Sequence, residues 1–128
     1  MTLLLDTSTF VWIALDDPRL SKRAREMFSD PANQVFLSVV SSWEIAVKYS
    51  LGRLPLPEPP GKFVPSRRKR YALQTLALEE EAVLHVARLP RLHGDPFDRM
   101  LICQAIVHGL ALLTSDEQIA QYPVRVLW

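Results

Sequence analysis

Five short apolar runs, separated by stretches with helical patterning, constrain this chain more than any other feature. They are Thr2 to Leu5, Val35 to Val39, Leu73 to Leu78, Ala111 to Leu113 and Val124 to Leu127. The runs are largely apolar rather than alternating, as expected of strands covered on both faces. With the helical stretches between them the order reads β-α-α-β-α-(α)-β-α-α-β-α-β. That order predicts a parallel α/β sheet of about five strands, with right-handed crossovers and a helical layer on each face. At 128 residues, 48% hydrophobic and 23% charged, residues 1–128 are expected to form one domain with a substantial core.

The helices announce themselves by their ends. FVWIALDD reads as a short helix stopped by Pro18, and Ser21 to Asp30 as a Ser-capped surface helix. A helix from about Ser41 to Leu51 can be capped by Ser41 or Ser42. That reading puts Glu44 in its first turn and Trp43, Ile45, Ala46 and Tyr49 on one broad apolar face. Gly52 to Pro65, which holds five of the ten prolines, is expected to be a loop. Leu78 to Pro90 reads as a helix whose acidic start suits its N-terminus. The segment HGDPFDRMLICQAI, His93 to Ile106, is the clearest helix opening. Asp95 is the expected N-cap, Pro96 the first helical residue and Asp98 the acid at the third position, with Gly109 ending the helix after His108.

Composition excludes little and localises something. The formal charge of +1 does not by itself predict nucleic-acid binding. The only basic cluster is Lys62 with Arg67, Arg68, Lys69 and Arg70, readable as a solvated helix face or as a phosphate-facing patch. The apolar run after Met1 has neither the basic leader nor the length of a signal peptide, and no segment is long enough to span a membrane. Cys103 is the single cysteine, which fits a reducing compartment and a core position. A cytoplasmic protein is the expectation.

Ligands of open α/β sheets gather at the carboxyl ends of the strands, and acids collect there. Asp6 follows the first strand, Asp116 follows the fourth, and Glu44 lies near the start of the helix after the second. Asp98 opens the helix that leads into the fourth strand, and the sequence leaves open how it reaches the same edge. Grouped carboxylates without matching Lys or Arg repel one another unless a cation joins them. Hard oxygen donors of this kind suit Mg2+ or Mn2+ rather than zinc, and such a site can activate water against a phosphodiester. Thr7, Ser8, Thr114 and Ser115 are placed to steady the ligands. His85 and His108 read as structural, while His93 is a candidate for substrate contact.

These motifs, taken in order, make the chain resemble a PIN-domain ribonuclease, specifically the VapC-type toxin of a toxin–antitoxin pair in the subgroup with a DPFDR motif. The resemblance rests on LLLDTSTFVW, SSWEIAVKYSLGRL, HGDPFDRMLICQAI and LLTSDEQIAQY and covers nearly the whole chain. It implies a three-layer α/β/α fold with sheet order 3-2-1-4-5 and brings Asp98 to the other acids. The family's acidic quartet carries over as Asp6, Glu44, Asp98 and Asp116. These would hold one or two Mg2+ or Mn2+ ions, with Glu44 either binding metal or orienting water. Asp95 is an additional acid, either a cap or an auxiliary ligand. Lys62, the run Arg67 to Arg70, and Arg99 are candidates for phosphate contact, though Arg99 could instead pair with a site carboxylate. The implied partners are RNA, a small cognate antitoxin and a second copy of the chain, in a homodimer or in a heterotetramer or larger assembly with antitoxin. Trp12 and Trp43 could serve those contacts or the core.

Two other readings compete. One is a PIN-like module that holds RNA or antitoxin without cutting; the complete set of acids argues against it. The other is a small phosphate-handling enzyme of the haloacid-dehalogenase or receiver type. The former expects an Asp where this chain has Ser8, and both expect a Lys near the last strand-end acid, where none follows Asp116. Nothing in the residues reports recognition of a 2′-hydroxyl, so RNA rather than DNA rests on the resemblance.

Overall fold

Leu3, Leu4 and Leu5 are all fully buried, and alternate residues of this strand belong to different cores. Leu3 and Leu5 pack into one apolar cluster and Leu4 into another, as the period-two geometry of a strand covered on both faces requires. The computed structural model describes residues 1–128. Its strands are β1 (Thr2–Leu5), β2 (Gln34–Ser38), β3 (Gln74–Leu76), β4 (Ala111–Leu113) and β5 (Val126–Leu127). They form one sheet in the order β3-β2-β1-β4-β5, every neighbouring pair parallel. The registers Leu3 with Val35 and Leu5 with Leu113 put β1 at the centre.

Helices α1 (Thr7–Ala14), α2 (Lys22–Ser29) and α4 (Pro60–Arg70) supply residues to the core under Leu3 and Leu5. Helices α5 (Glu80–His85), α6 (Pro96–His108) and α7 (Glu117–Ala120) supply the core under Leu4. Helix α3 (Val39–Ser50) contributes to both, through Ile45 and Val40 respectively. The result is a three-layer α/β/α fold. No helix is long and apolar enough to cross a membrane.

Several local expectations need correction. Helix α3 begins at Val39, because Ser38, rather than Ser41 or Ser42, is its N-cap: the Ser38 hydroxyl accepts the Val40 N–H at 3.0 Å. Two β-branched valines thus enter the first turn against their propensity, and Glu44 falls in the second turn rather than the first. The buried stripe of α3 is Val40, Ser41, Glu44 and Ile45. Trp43, Ala46 and Tyr49, expected beside Ile45, face outward, Trp43 being 56% exposed. The proline-rich segment is a loop only as far as Pro59. Pro60 opens α4, where a missing N–H costs nothing, and Pro65 lies inside that helix. The basic cluster is therefore helical.

The segment between β3 and α6 answers the question that Asp98 raised. Helix α5 has six residues, about 9 Å of rise, and is followed only by a 3-10 turn, Val86–Arg88. Helix α6 has thirteen, about 20 Å, and ends three residues before β4. With so short an α5, and so long an α6 running down to β4, the start of α6 lies near the carboxyl edge of the sheet. Gln104 of α6, fully buried, fixes this placement by accepting from the Ser38 hydroxyl and donating to the Ala77 carbonyl.

Gly109 closes α6 with φ +67°, in the left-handed region, and a Cβ built there would meet nothing within 4 Å. The cost of Gly109→Ala is therefore conformational alone. Chemical denaturation should show a loss of about 1–2 kcal/mol.

Candidate functional site

Two strand ends at the centre of the sheet build the first half of the site. Strand order reverses between β1 and β4, and the residues just past these strands are Asp6 and Thr114. Asp6 caps α1, its Oδ1 accepting the Thr9 N–H at 2.8 Å. Its other oxygen accepts from the Thr114 hydroxyl. The same hydroxyl accepts the Asp116 N–H at 3.0 Å, and Asp116 in turn caps α7 through the Gln118 N–H. Thr114 is thus the bridge between two acids 110 residues apart in sequence. Thr7 lies beneath, donating to the Ser41 hydroxyl of α3 at 3.0 Å. Ser8 and Ser115 are exposed.

The second half comes from α3 and α6. Glu44 is 4% exposed; its Oε2 is paired with Lys48 one turn on, and its Oε1 is buried with no partner. Asp95 caps α6 by accepting from the Phe97 and Asp98 N–H groups at 2.9 and 3.0 Å. Asp98 meets the His93 Nε2 at 3.2 Å, and the His93 Nδ1 lies 2.8 Å from the Tyr122 oxygen. That oxygen already accepts N–H groups from Leu92, His93 and Arg99. His93 is thus held between the Tyr122 oxygen at one ring nitrogen and the Asp98 carboxylate at the other.

Electrostatics tie the halves together. Burial pushes the Asp98 pKa up to about 6 against the His93 hydrogen bond, and the charges of Asp95, Glu44 and Asp116 push it further the same way. Burial also raises Asp6, partly offset by its hydrogen bonds to Thr114 and Thr9, with Asp116 adding a small repulsive push. Lys48 is desolvated, yet its bond to Glu44 and the fields of Asp95 and Asp98 raise its pKa on balance. All four acids thus lie in one electrostatic neighbourhood of net negative charge, with Lys48 the cation that faces it. No three of the site's His, Cys, Asp and Glu side chains stand close enough to make a ready-formed metal cage. The donor set nonetheless fits a hard divalent cation: carboxylate oxygens only, the Glu44 Oε1 buried and unsatisfied, and Asp6 and Asp98 both pushed toward their neutral forms by burial and neighbouring acids.

The basic residues lie elsewhere. On α4, Arg67 bonds Glu58 at 2.6 Å and stacks over Phe63, Lys62 approaches Glu58 at 3.7 Å, and Arg68 bonds Thr75. Lys69 and Arg70 are exposed, and no α4 cation forms an ion pair with the four acids. Arg99 is turned into the protein. It is 8% exposed, and its guanidinium donates to the Pro90 carbonyl at 2.7 Å, the Tyr122 oxygen at 3.0 Å and, at 3.5 Å, the Leu89 carbonyl. It neither faces solvent for a phosphate nor pairs with a carboxylate. Sequence reasoning missed Lys48 and Tyr122. The spacing of Glu44 and Lys48, four apart on a helix, was a visible signal, whereas nothing around Tyr122 marks it.

The model of the PIN domain matches residues 3–124. Ribonuclease VapC16 of Mycobacterium tuberculosis is 39% identical over 90 residues, 67% of this chain and 61% of that protein, so the match spans less than two thirds of the relative. Ribonuclease VapC22 of the same organism is 25% identical over 122 residues, 94% of this chain and 92% of that one. Among solved structures, VapBC2 from Rickettsia felis bound to a promoter DNA fragment superposes with a TM-score of 0.75 at 16% identity, covering 99% of this chain and 98% of that one. DNA-bound VapBC from Salmonella typhimurium gives 0.71 at 18%, covering 99% and 97%. At these identities the two structures speak to the fold alone.

Proposed function

The chain belongs to the PIN-domain family, and we propose that it is a VapC-type Mg2+- or Mn2+-dependent endoribonuclease, the toxin of a toxin–antitoxin pair, a reading supported by its likeness to the two VapC ribonucleases. The observation that carries the reading is the grouping of Asp6, Glu44, Asp98 and Asp116 near the point where strand order reverses, with Asp6 and Asp98 pushed up by burial and by the acids around them. Asp6, Asp98 and Asp116 would hold the cation, with Glu44 as a further ligand or as the group that orients water. When bound, the cation supplies an activated water and offsets charge on the cleaved phosphodiester. The protein's part is preorganisation. Thr114 holds Asp6 and the Asp116 backbone at one spacing, and His93, itself fixed by Tyr122, holds Asp98. Asp95 serves as the cap of α6 and, in this reading, adds negative potential that draws a cation in.

Partners extend the same proposal. A small antitoxin and a second copy of the chain are the expected macromolecular contacts, since several structural relatives are VapBC or FitAB complexes. Trp43, more than half exposed and set edge-on against Phe97 at 4.7 Å, suits such a contact.

Matched RNA and DNA single strands, incubated with the protein and Mg2+ or Mn2+, test the reading. The RNA should be cut, the DNA spared, and EDTA should stop the reaction. Binding of RNA without cutting in either metal would establish the non-catalytic module instead.

A further inference from the structure

A cleft of about 140 Å3 opens on Glu44. Glu44 and Lys48 of α3, Thr7, Ser8, Val11 and Trp12 of α1, Arg19 from the turn after α1, and Leu54 line it. Beyond Glu44 its polar groups are two cations and the exposed Ser8 hydroxyl, set against an indole and the apolar side chains of Val11 and Leu54. Its volume is that of about five waters, which suits one base-sized group and not a duplex. Each cation is anchored on one side and open on the other. Lys48 is bound to Glu44, yet its side chain is 44% exposed. Asp17 takes the Arg19 Nε at 3.1 Å and Nη2 at 2.8 Å, holding the guanidinium 4.8 Å from the Trp12 ring and leaving Nη1 without a protein partner. Preformed charges of this kind lose little entropy on meeting a phosphate.

Building on the nuclease reading, we propose that this cleft is a nucleotide subsite for single-stranded RNA. Lys48 and Arg19 receive a backbone phosphate beside the one cleaved, while Ser8 and the Trp12 wall meet the attached sugar and base. This assignment shifts the substrate track from the basic face of α4 to the groove between α1 and α3. Lys48 becomes the joint between the acidic site and the strand it holds.

Anisotropy of a fluorescein-labelled RNA octamer in EDTA, where no cutting occurs, tests this directly. Lys48→Met and Arg19→Met should each weaken binding roughly five- to tenfold and reduce the slope of log Kd against log salt by about 0.7. Lys48→Arg should retain binding. Glu44→Gln should tighten it, and adding Lys48→Met to that variant should remove the gain, which a lysine serving only to neutralise Glu44 would not do. The double substitution Lys69→Met with Arg70→Met on α4 should stay within twofold of wild type. Unchanged affinity in both the Lys48→Met and Arg19→Met variants, or a loss confined to the α4 variant, overturns the subsite. Cleavage in Mg2+ separates the two readings. A wild type that cuts, with unaltered KM in both cleft variants, overturns the subsite and leaves the nuclease standing. A wild type that never cuts, but binds through Lys48 and Arg19, overturns the nuclease and keeps the cleft as an RNA site.

Discussion

Replacing Asp98 by Asn should abolish metal-dependent cleavage and at the same time make the metal-free protein more stable at neutral pH. The site holds Asp98 at a pKa of about 6 against an ordinary 3.8, so its carboxylate is harder to form in the folded chain than in the unfolded one. For an acid raised in this way, the linked stability is complete below the unfolded pKa and lost as pH rises through the folded one. Above about pH 7 the ionised group costs the fold up to about 3 kcal/mol, from the two-unit gap at 1.36 kcal/mol per unit. Asn removes that cost but forfeits the charge-assisted bond to His93, leaving a net gain of about 1–2 kcal/mol, a few degrees in Tm. The gain should fade below pH 4, where wild type is protonated in both states. Mg2+ should reverse the ranking by stabilising only the protein that binds it. Thermal melts of both proteins at pH 4 and 7.5, with EDTA or Mg2+, check each part. Full activity in the Asn variant would refute the site.

The second large effect is expected at Arg99, as a loss of fold and not of substrate affinity. Its guanidinium is buried and meets neutral oxygens: the Pro90 and Leu89 carbonyls and the Tyr122 hydroxyl. The Tyr122 pKa falls to about 8 although burial opposes it, because His93, Arg99 and Leu92 all bond its oxygen. Together Arg99 and Tyr122 clamp residues 89 to 93, the stretch that carries His93 to Asp98. Arg99→Met would keep most of the volume and leave two carbonyls short of a donor. A loss of about 2–4 kcal/mol in urea unfolding is expected. Cleavage should fall through kcat, as His93 and Asp98 lose their alignment, with the salt dependence of RNA binding unchanged. A residue contacting phosphate would give the reverse: intact stability and a shallower salt slope.

Legibility followed distance along the chain. The Asp95-Pro96 opening, the Ser21 cap and the Gly109 stop depend on residues within four positions of one another and stand in the structure as read. All five strands form where apolar runs lie, but Val39 passes from β2 to α3, β3 shrinks to Gln74–Leu76 and β5 to Val126–Leu127. Element ends read from propensity fared worse where a distant partner intervened. Ser38 displaced Ser41 as the α3 cap while its hydroxyl also donates to Gln104, 66 residues away. Trp43 and Ala46 were misread because the face of α3 that turns inward is chosen by what packs on it, including a buried glutamate that no hydrophobic pattern would place inside.

Sequence alone determined that acids stand at the ends of β1 and β4 and in the first turn of α6, and that nothing local requires all of them. Caps and helix amides account for Asp6, Asp98 and Asp116 one at a time. Only the tertiary structure decided that their charges are felt by one another. A six-residue α5 is too short to carry the chain across the sheet, so α6 starts at the edge where β1 and β4 end. Tertiary structure also turned Arg99 inward and opened a cationic cleft beside Glu44. Those outcomes depend on contacts tens of residues apart, whose energies no local pattern records.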